Sequence, residues 1–116
     1  MKIKILALVL FLGIGFRVEA SQVAAFFSAG DVLSNCESES VARINECSAY
    51  LAGVLDTTSV WVSWGRMQNV ICTQTGINQT QIRKIFIKYA NQHPEVLHLD
   101  AAGMVLNAFR QAFPCE

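Results

Sequence analysis

Four cysteines, at positions 36, 47, 72 and 115, constrain this chain more than any other feature. An even number of cysteines is a disulfide frame only where the compartment is oxidising, and the N-terminus points to such a compartment. Met1-Lys2-Ile3-Lys4 carries two positive charges, Ile5 to Phe16 is an apolar run, and Val18-Glu19-Ala20 offers small residues before a cut. That order is the one found in secretory signal peptides. The run is broken by Gly13 and Gly15 and falls short of the ~20 residues that span a bilayer. Cleavage after Ala20 is expected to leave residues 21–116 as one domain of 96 residues that retains all four cysteines.

Export also changes the charge. The leader holds Lys2, Lys4, Arg17 and Glu19, so six basic and eight acidic residues remain, a net charge of −2. A weakly acidic surface disfavours nucleic acid and anionic lipid as partners. The length excludes a nucleotide-binding sheet with a second substrate domain. A core this small is marginal without staples, which two disulfides would supply.

Strand-like alternation is nearly absent and helical spacing recurs, so the expected fold is all-α, a four- to five-helix domain. Gly30 reads as a breaker and Asp31 as the cap of a short helix reaching about Cys36. Ser40 is a candidate cap for a second helix whose apolar stripe is Ile44, Cys47, Leu51 and Val54. Asp56-Thr57-Thr58-Ser59 reads as an end or bend of that helix, and Val60 to Trp64 as either more helix or an extended piece. Gly65 to Asn69 reads as a loop tip. Asn78 with Gln81 forms a capping box, and Ile77 with Ile82 a hydrophobic staple, for a third helix stopped by Pro94 at about His93. Its stripe is Ile82, Ile85, Phe86, Tyr89 and Ala90, opposite Arg83, Lys84 and Lys88. A last helix opens at Asp100, buries Met104, Val105, Ala108, Phe109 and Ala112, and ends before Pro114.

The third and fourth helices are joined by a short link, so Cys72 before one lies near Cys115 after the other. That favours Cys72–Cys115 with Cys36–Cys47. The rival pairing, Cys36–Cys115 with Cys47–Cys72, requires the chain to reverse near Asp56–Ser59, and sequence alone leaves both open.

No catalytic or cofactor constellation stands out. Paired thiols supply no thiolate nucleophile. His93 and His98 have no carboxylate at metal-ligand spacing, and no glycine-rich phosphate loop occurs. The expected protein is not an enzyme and needs neither metal nor cofactor. Trp61 and Trp64 read first as core residues, and second as anchors for a partner.

The order of several blocks resembles one family. Cys36 is followed by Cys47-Ser48-Ala49-Tyr50-Leu51-Ala52-Gly53-Val54, a Cys-x-x-Tyr-x-x-Gly-Val block. Cys72 with Gly76-Ile77 is similar to a Cys-x-x-x-Gly-Val segment, except that Thr73 stands where a proline often follows the cysteine. His93-Pro94-Glu95 and Phe113-Pro114-Cys115 complete the order. Together they resemble the Rap/Tai family of immunity proteins paired with type VI secretion amidase effectors. The resemblance implies an exported periplasmic all-α protein, often a homodimer. It would bind a secreted peptidoglycan amidase of the cysteine–histidine type and block its active-site groove. It also implies that Gly53 permits close helix packing and that Tyr50 fills the core with its hydroxyl at an edge. A periplasmic helical chaperone or binding module without a toxin partner is the competing reading.

The blocks that carry the resemblance bring no toxin-contacting residues with them, so physical requirements indicate the contact surface. A blocking protein needs a rigidly based protruding loop. The segment from Asp56 to Gln79, anchored at Cys72, is the candidate. Arg66, Met67, Gln68 and Asn69 are expected to enter the groove, with Trp64 as the apolar anchor.

Overall fold

The structure is a computed structural model and describes residues 25–73 and 75–116. The leader expected at residues 1–20 lies outside the described residues. Among the described residues four α-helices follow one another: α1 (Ala29–Cys36), α2 (Val41–Ser63), α3 (Gln79–Gln92) and α4 (Ala101–Ala112). A 3₁₀ turn at Pro94–Val96 links the last two. No helix among the described residues is long and apolar enough to cross a membrane.

α1 begins two residues before the expected start because its free N–H groups find acceptors earlier. Ala29 N–H donates to the Leu99 carbonyl and Gly30 N–H to that of Leu97, both at 2.8 Å. Asp31 N–H donates to the Ser28 hydroxyl at 3.2 Å. Ser28 is therefore the cap, Asp31 is the third helical residue, and Gly30 lies inside the helix rather than breaking it. The link between α3 and α4 thus satisfies the N-terminal donors that an isolated helix leaves to water. Ala101 N–H donates back to the Phe27 carbonyl at 3.0 Å, which closes a short bridge at the base of the molecule.

α2 runs unbroken through Asp56–Ser59. The hydroxyls that read as a stop turn back onto the preceding turn instead. Thr57 donates to the Gly53 carbonyl and Thr58 to that of Val54, both at 2.7 Å, while Ser59 donates to Asp56 and Ser63 to Val60, both at 2.8 Å. Side chains bonded within the helix no longer compete with it. The reversal needed for the rival pairing does not occur. The disulfides are Cys36–Cys47 and Cys72–Cys115, with Cα atoms 5.1 and 5.0 Å apart. Beside the first bridge, Arg43 donates to Asn35 at 2.9 Å and to Ser34 at 2.8 Å, adding a polar clip between α1 and α2.

The capping box of α3 is formed as expected, with Gln81 N–H on the Asn78 side chain at 2.9 Å and Asn78 N–H on Gln81 at 3.0 Å. α3 ends at His93 as expected. Asp100 caps α4 by accepting from Gly103 N–H at 2.6 Å. All four helices supply the core, and each packs against the other three. Leu51, Phe86, Val105 and Phe109 are fully buried at its centre. Ile85 and Tyr89 lie half-buried at its edge, and Ala112, expected inside, is exposed because α4 is in its last turn there. Tyr50 is half-buried, edge-on to Phe27 with ring centroids 5.6 Å apart. Burial raises its phenol pKa above the usual value, and the Asp100 carboxylate adds to the shift.

Gly53 does not permit close helix packing. It is exposed, and a Cβ placed there would meet nothing within 4 Å. A glycine inside a helix costs roughly 0.5–1 kcal/mol relative to alanine. Gly53→Ala is therefore expected to stabilise the protein by about that amount, as read from urea denaturation. Destabilisation would restore a packing role.

The Ser28 hydroxyl, followed by the Ser28 N–H, lowers the pKa of Asp31 below its usual value of 3.8. The folded state favours the carboxylate, so its contribution is present above 3.8 and is lost as pH falls through the lowered value. Asp31→Asn should accordingly melt below the wild type at pH 7. The gap should close in strong acid, as followed by circular dichroism.

Candidate functional site

The C-terminal half of α2 ends in a reversal built from local backbone geometry. Gly65 has a φ of 66° and follows the C-cap Trp64. Its N–H donates to the Val62 carbonyl, and Arg66 N–H donates to that of Trp61, both at 2.9 Å. These two bonds make a Schellman motif, which satisfies the free carbonyls at a helix end. The expected loop is thus shorter than Asp56–Gln79. It occupies residues 64–78, because Asp56 to Ser63 belong to α2. A second left-handed glycine, Gly76 with φ 94°, turns the chain into the α3 cap.

The five candidate contact residues share this turn. Trp64 is 66 % exposed, and Arg66, Gln68 and Asn69 are exposed as well. Met67 is half-buried, so it supports the turn more than it projects from it. The expectation that both tryptophans sit in the core is overturned. Trp61 is 47 % exposed and stands edge-on to Trp64, with ring centroids 5.9 Å apart. Once α2 continues to Ser63, Val60, Trp61 and Trp64 fall on one outward face at helical spacing, and all three are exposed. That spacing was readable in the sequence, but only with the helix already extended past Ser59.

Asn69 is the pivot of the turn. Its side-chain oxygen accepts from Ile71 N–H at 3.3 Å, and its amide nitrogen approaches the Cys72 sulfur at 3.6 Å. Cys72 N–H donates to the Phe113 carbonyl at 2.9 Å, beside the disulfide to Cys115. The turn is therefore tied to the end of α4 both covalently and by a backbone bond.

Between the returning limb of the turn and α2 lies an open groove of about 550 Å³. Leu55, Val62, Ile71, Ile77 and Ile82 form its apolar lining, while Asp56, Ser63 and Asn69 contribute polar groups. An apolar hollow with a few polar groups suits the seating of a side chain from a partner. The α2 side of this groove was not legible in the sequence, because Asp56–Ser59 reads there as an end or bend of the helix and Val60–Trp64 as either more helix or an extended piece.

The other sequence-level candidates stay apart from the turn. His93 stacks on Tyr89 with centroids 4.1 Å apart, and its Nδ1 lies 2.8 Å from the Tyr89 carbonyl oxygen. Glu37 accepts from Asn91 at 2.6 Å and Glu46 from Asn35 at 3.3 Å. All four cysteines are in disulfides. Among the described residues no three His, Cys, Asp or Glu side chains are gathered to hold a metal ion.

Gly65→Ala is expected to cost about 1 kcal/mol or more, since alanine resists a positive φ. Denaturant titration measures this, and a neutral result would show that the Schellman turn can be rebuilt. A family model described as Rap1a immunity proteins matches residues 28–115. No curated protein and no solved structure matches the chain.

Proposed function

The chain belongs to the Rap1a immunity proteins, and on that premise we propose that it protects its producer and siblings by occluding a secreted enzyme. In this reading residues 1–20 direct export and are cleaved after Ala20, and the domain of residues 21–116 acts in the periplasm. Its partner is a peptidoglycan amidase effector delivered by type VI secretion, and it engages that effector as a homodimer. It performs no catalysis of its own and requires no cofactor.

The observation that carries this reading is the anchored turn at residues 64–69. Immunity by occlusion requires a projection stiff enough to enter a cleft without losing its entropy on binding. The Schellman motif fixes one limb and the Cys72–Cys115 bridge the other. Trp64 supplies exposed aromatic area, Arg66 a charge, and Gln68 an amide group that can pair with backbone in a cleft, while Asn69 lies exposed beside them and holds the shape of the turn. The apolar groove beside the turn favours a second reading, a periplasmic helical chaperone or binding module with no toxin partner. The two separate in one experiment. The exported protein is used to capture partners from a periplasmic fraction, and its effect on peptidoglycan cleavage by the captured amidase is measured.

Trp64→Ala and Arg66→Ala are expected to weaken the amidase complex at least about tenfold, through faster dissociation. Because both side chains are exposed, the melting temperature should stay near that of the wild type. Unchanged affinity would remove the turn from the contact surface, and unfolding would make these residues structural.

A further inference from the structure

The two disulfides differ in what they hold and in how accessible they are. Cys36 and Cys47 are 0 % and 1 % exposed and lie within the core. Cys72 is exposed and Cys115 half-buried, at the edge of the molecule. The fully buried side chains come from α1, the N-terminal half of α2, α3 and α4, and none comes from the described residues between 52 and 81. The turn contributes only the half-buried Ile71 and Ile77 to the packing around that core. Among the described residues 67–77, one backbone hydrogen bond reaches the rest of the protein, from Cys72 N–H to the Phe113 carbonyl. It lies beside the accessible disulfide. The side chain that shapes the turn, Asn69, has its amide against the Cys72 sulfur.

We propose that Cys72–Cys115 is a thiol-labile clasp on the 64–78 turn. Reducing it releases the turn while Cys36–Cys47 and the helical core persist, so the protein is competent to hold its partner only in the oxidised form. This rests on the reading of the turn as the contact surface. The core draws only the half-buried Ile71 and Ile77 from the described residues of the turn, whereas the turn's one backbone tie to the rest of the protein lies beside the clasp. A chain whose thiols are still reduced would fold its four helices but would not present the turn. Competence would then be acquired on reaching an oxidising compartment.

The chemistry is thiol–disulfide exchange with a dithiol. A thiolate of the reductant attacks the exposed Cys72 sulfur and forms a mixed disulfide, and the sulfur of Cys115 leaves as a thiolate. The second thiol of the reductant, as its thiolate, displaces the Cys72 sulfur and closes a cyclic disulfide. The two protein thiolates take up the two protons that the dithiol has lost. Two electrons pass from the dithiol to the protein bond. Access of the attacking thiolate sets the order of reduction, and the buried Cys36–Cys47 pair is shielded from it.

The oxidised exported chain is treated with graded dithiothreitol, quenched, and alkylated at free thiols, and the labelled peptides are identified by mass. Cys72 and Cys115 should be labelled at least about tenfold faster than Cys36 and Cys47, with the far-UV circular dichroism unchanged at that stage. Arg66 is the single Lys or Arg between Arg43 and Arg83, so trypsin reports directly on the turn. Cleavage after Arg66 should accelerate at least about tenfold once the clasp is open, as expected of a locally released segment. A C72S/C115S variant should show the same fast cleavage without reductant. If that variant does not fold, the idea is overturned, because the core would then require the clasp. Joint reduction of both bonds with loss of helix would overturn it too, as would an unchanged rate at Arg66. These readouts need no partner. Failure of Trp64→Ala and Arg66→Ala to weaken the complex would strike the contact surface alone, and leave the labelling order standing.

Discussion

The length of α2 sets the terms for everything around it. At about 1.5 Å per residue its 23 residues extend roughly 34 Å, while the 14 residues of α3 and the 12 of α4 reach only about 21 and 18 Å. Helices that pack together can cover each other only along their common length. One end of α2 is covered by α1 and stapled there through Cys36–Cys47. The other end overhangs, so Val60, Trp61 and Trp64 remain exposed although they are apolar. Within the overhang Thr57, Thr58, Ser59 and Ser63 turn their hydroxyls back onto the helix. Had those residues ended the helix, the chain would have reversed a full two turns earlier and no projection would exist.

The molecule therefore divides into a part held by packing and a part held by local bonds. The packed part unites the first half of α2 with α1, α3 and α4, and the link before α4 feeds carbonyls to the start of α1. These contacts join segments far apart in sequence, and removing any one helix would expose the others. The second part has two left-handed glycines, a Schellman motif and a disulfide, but no fully buried side chain. Binding segments often have low local stability, since groups that must meet a partner cannot also be buried in the core. Covalent and backbone constraints compensate without consuming surface.

The helices were largely legible in the sequence because they are amphipathic and their ends carry explicit signals. Asn78 with Gln81, Pro94 and Asp100 each appear where the residue types require. The short link between α3 and α4 favoured the disulfide pairing that is observed, although the sequence left the rival pairing open. Three readings failed, each for its own physical reason. Asp31 looks like a cap until Ser28 is placed beside Leu99 and Asp100. The Asp56–Ser59 run looks like a stop until its hydroxyls find carbonyls within the helix. Trp61 and Trp64 look like core residues until the overhang leaves nothing to cover them. The position of the candidate turn was legible in its polarity and its glycine. The groove beside it was not, because that surface exists only when a distant limb, Ile71 to Ile77, folds back against α2.

Membership of an immunity family and the absence of sequence-level contact motifs are compatible on physical grounds. The blocks that identify the family contain cysteines, turn glycines and prolines, and buried helix positions, all of which build the frame. The frame holds the turn in place through the Schellman motif and the Cys72–Cys115 bridge. Asn69 shapes the turn, whereas Trp64, Arg66 and Gln68 are exposed, so the fold places little demand on the identity of those three. On the proposed contact surface they would be free to follow the partner, and specificity would arise as a difference in affinity between partners. A stiff frame strengthens that difference, because a turn that cannot rearrange cannot adapt to the wrong cleft. On the proposed contact surface, rigidity fixed at Gly65 and at Cys72 would contribute to discrimination as much as to affinity.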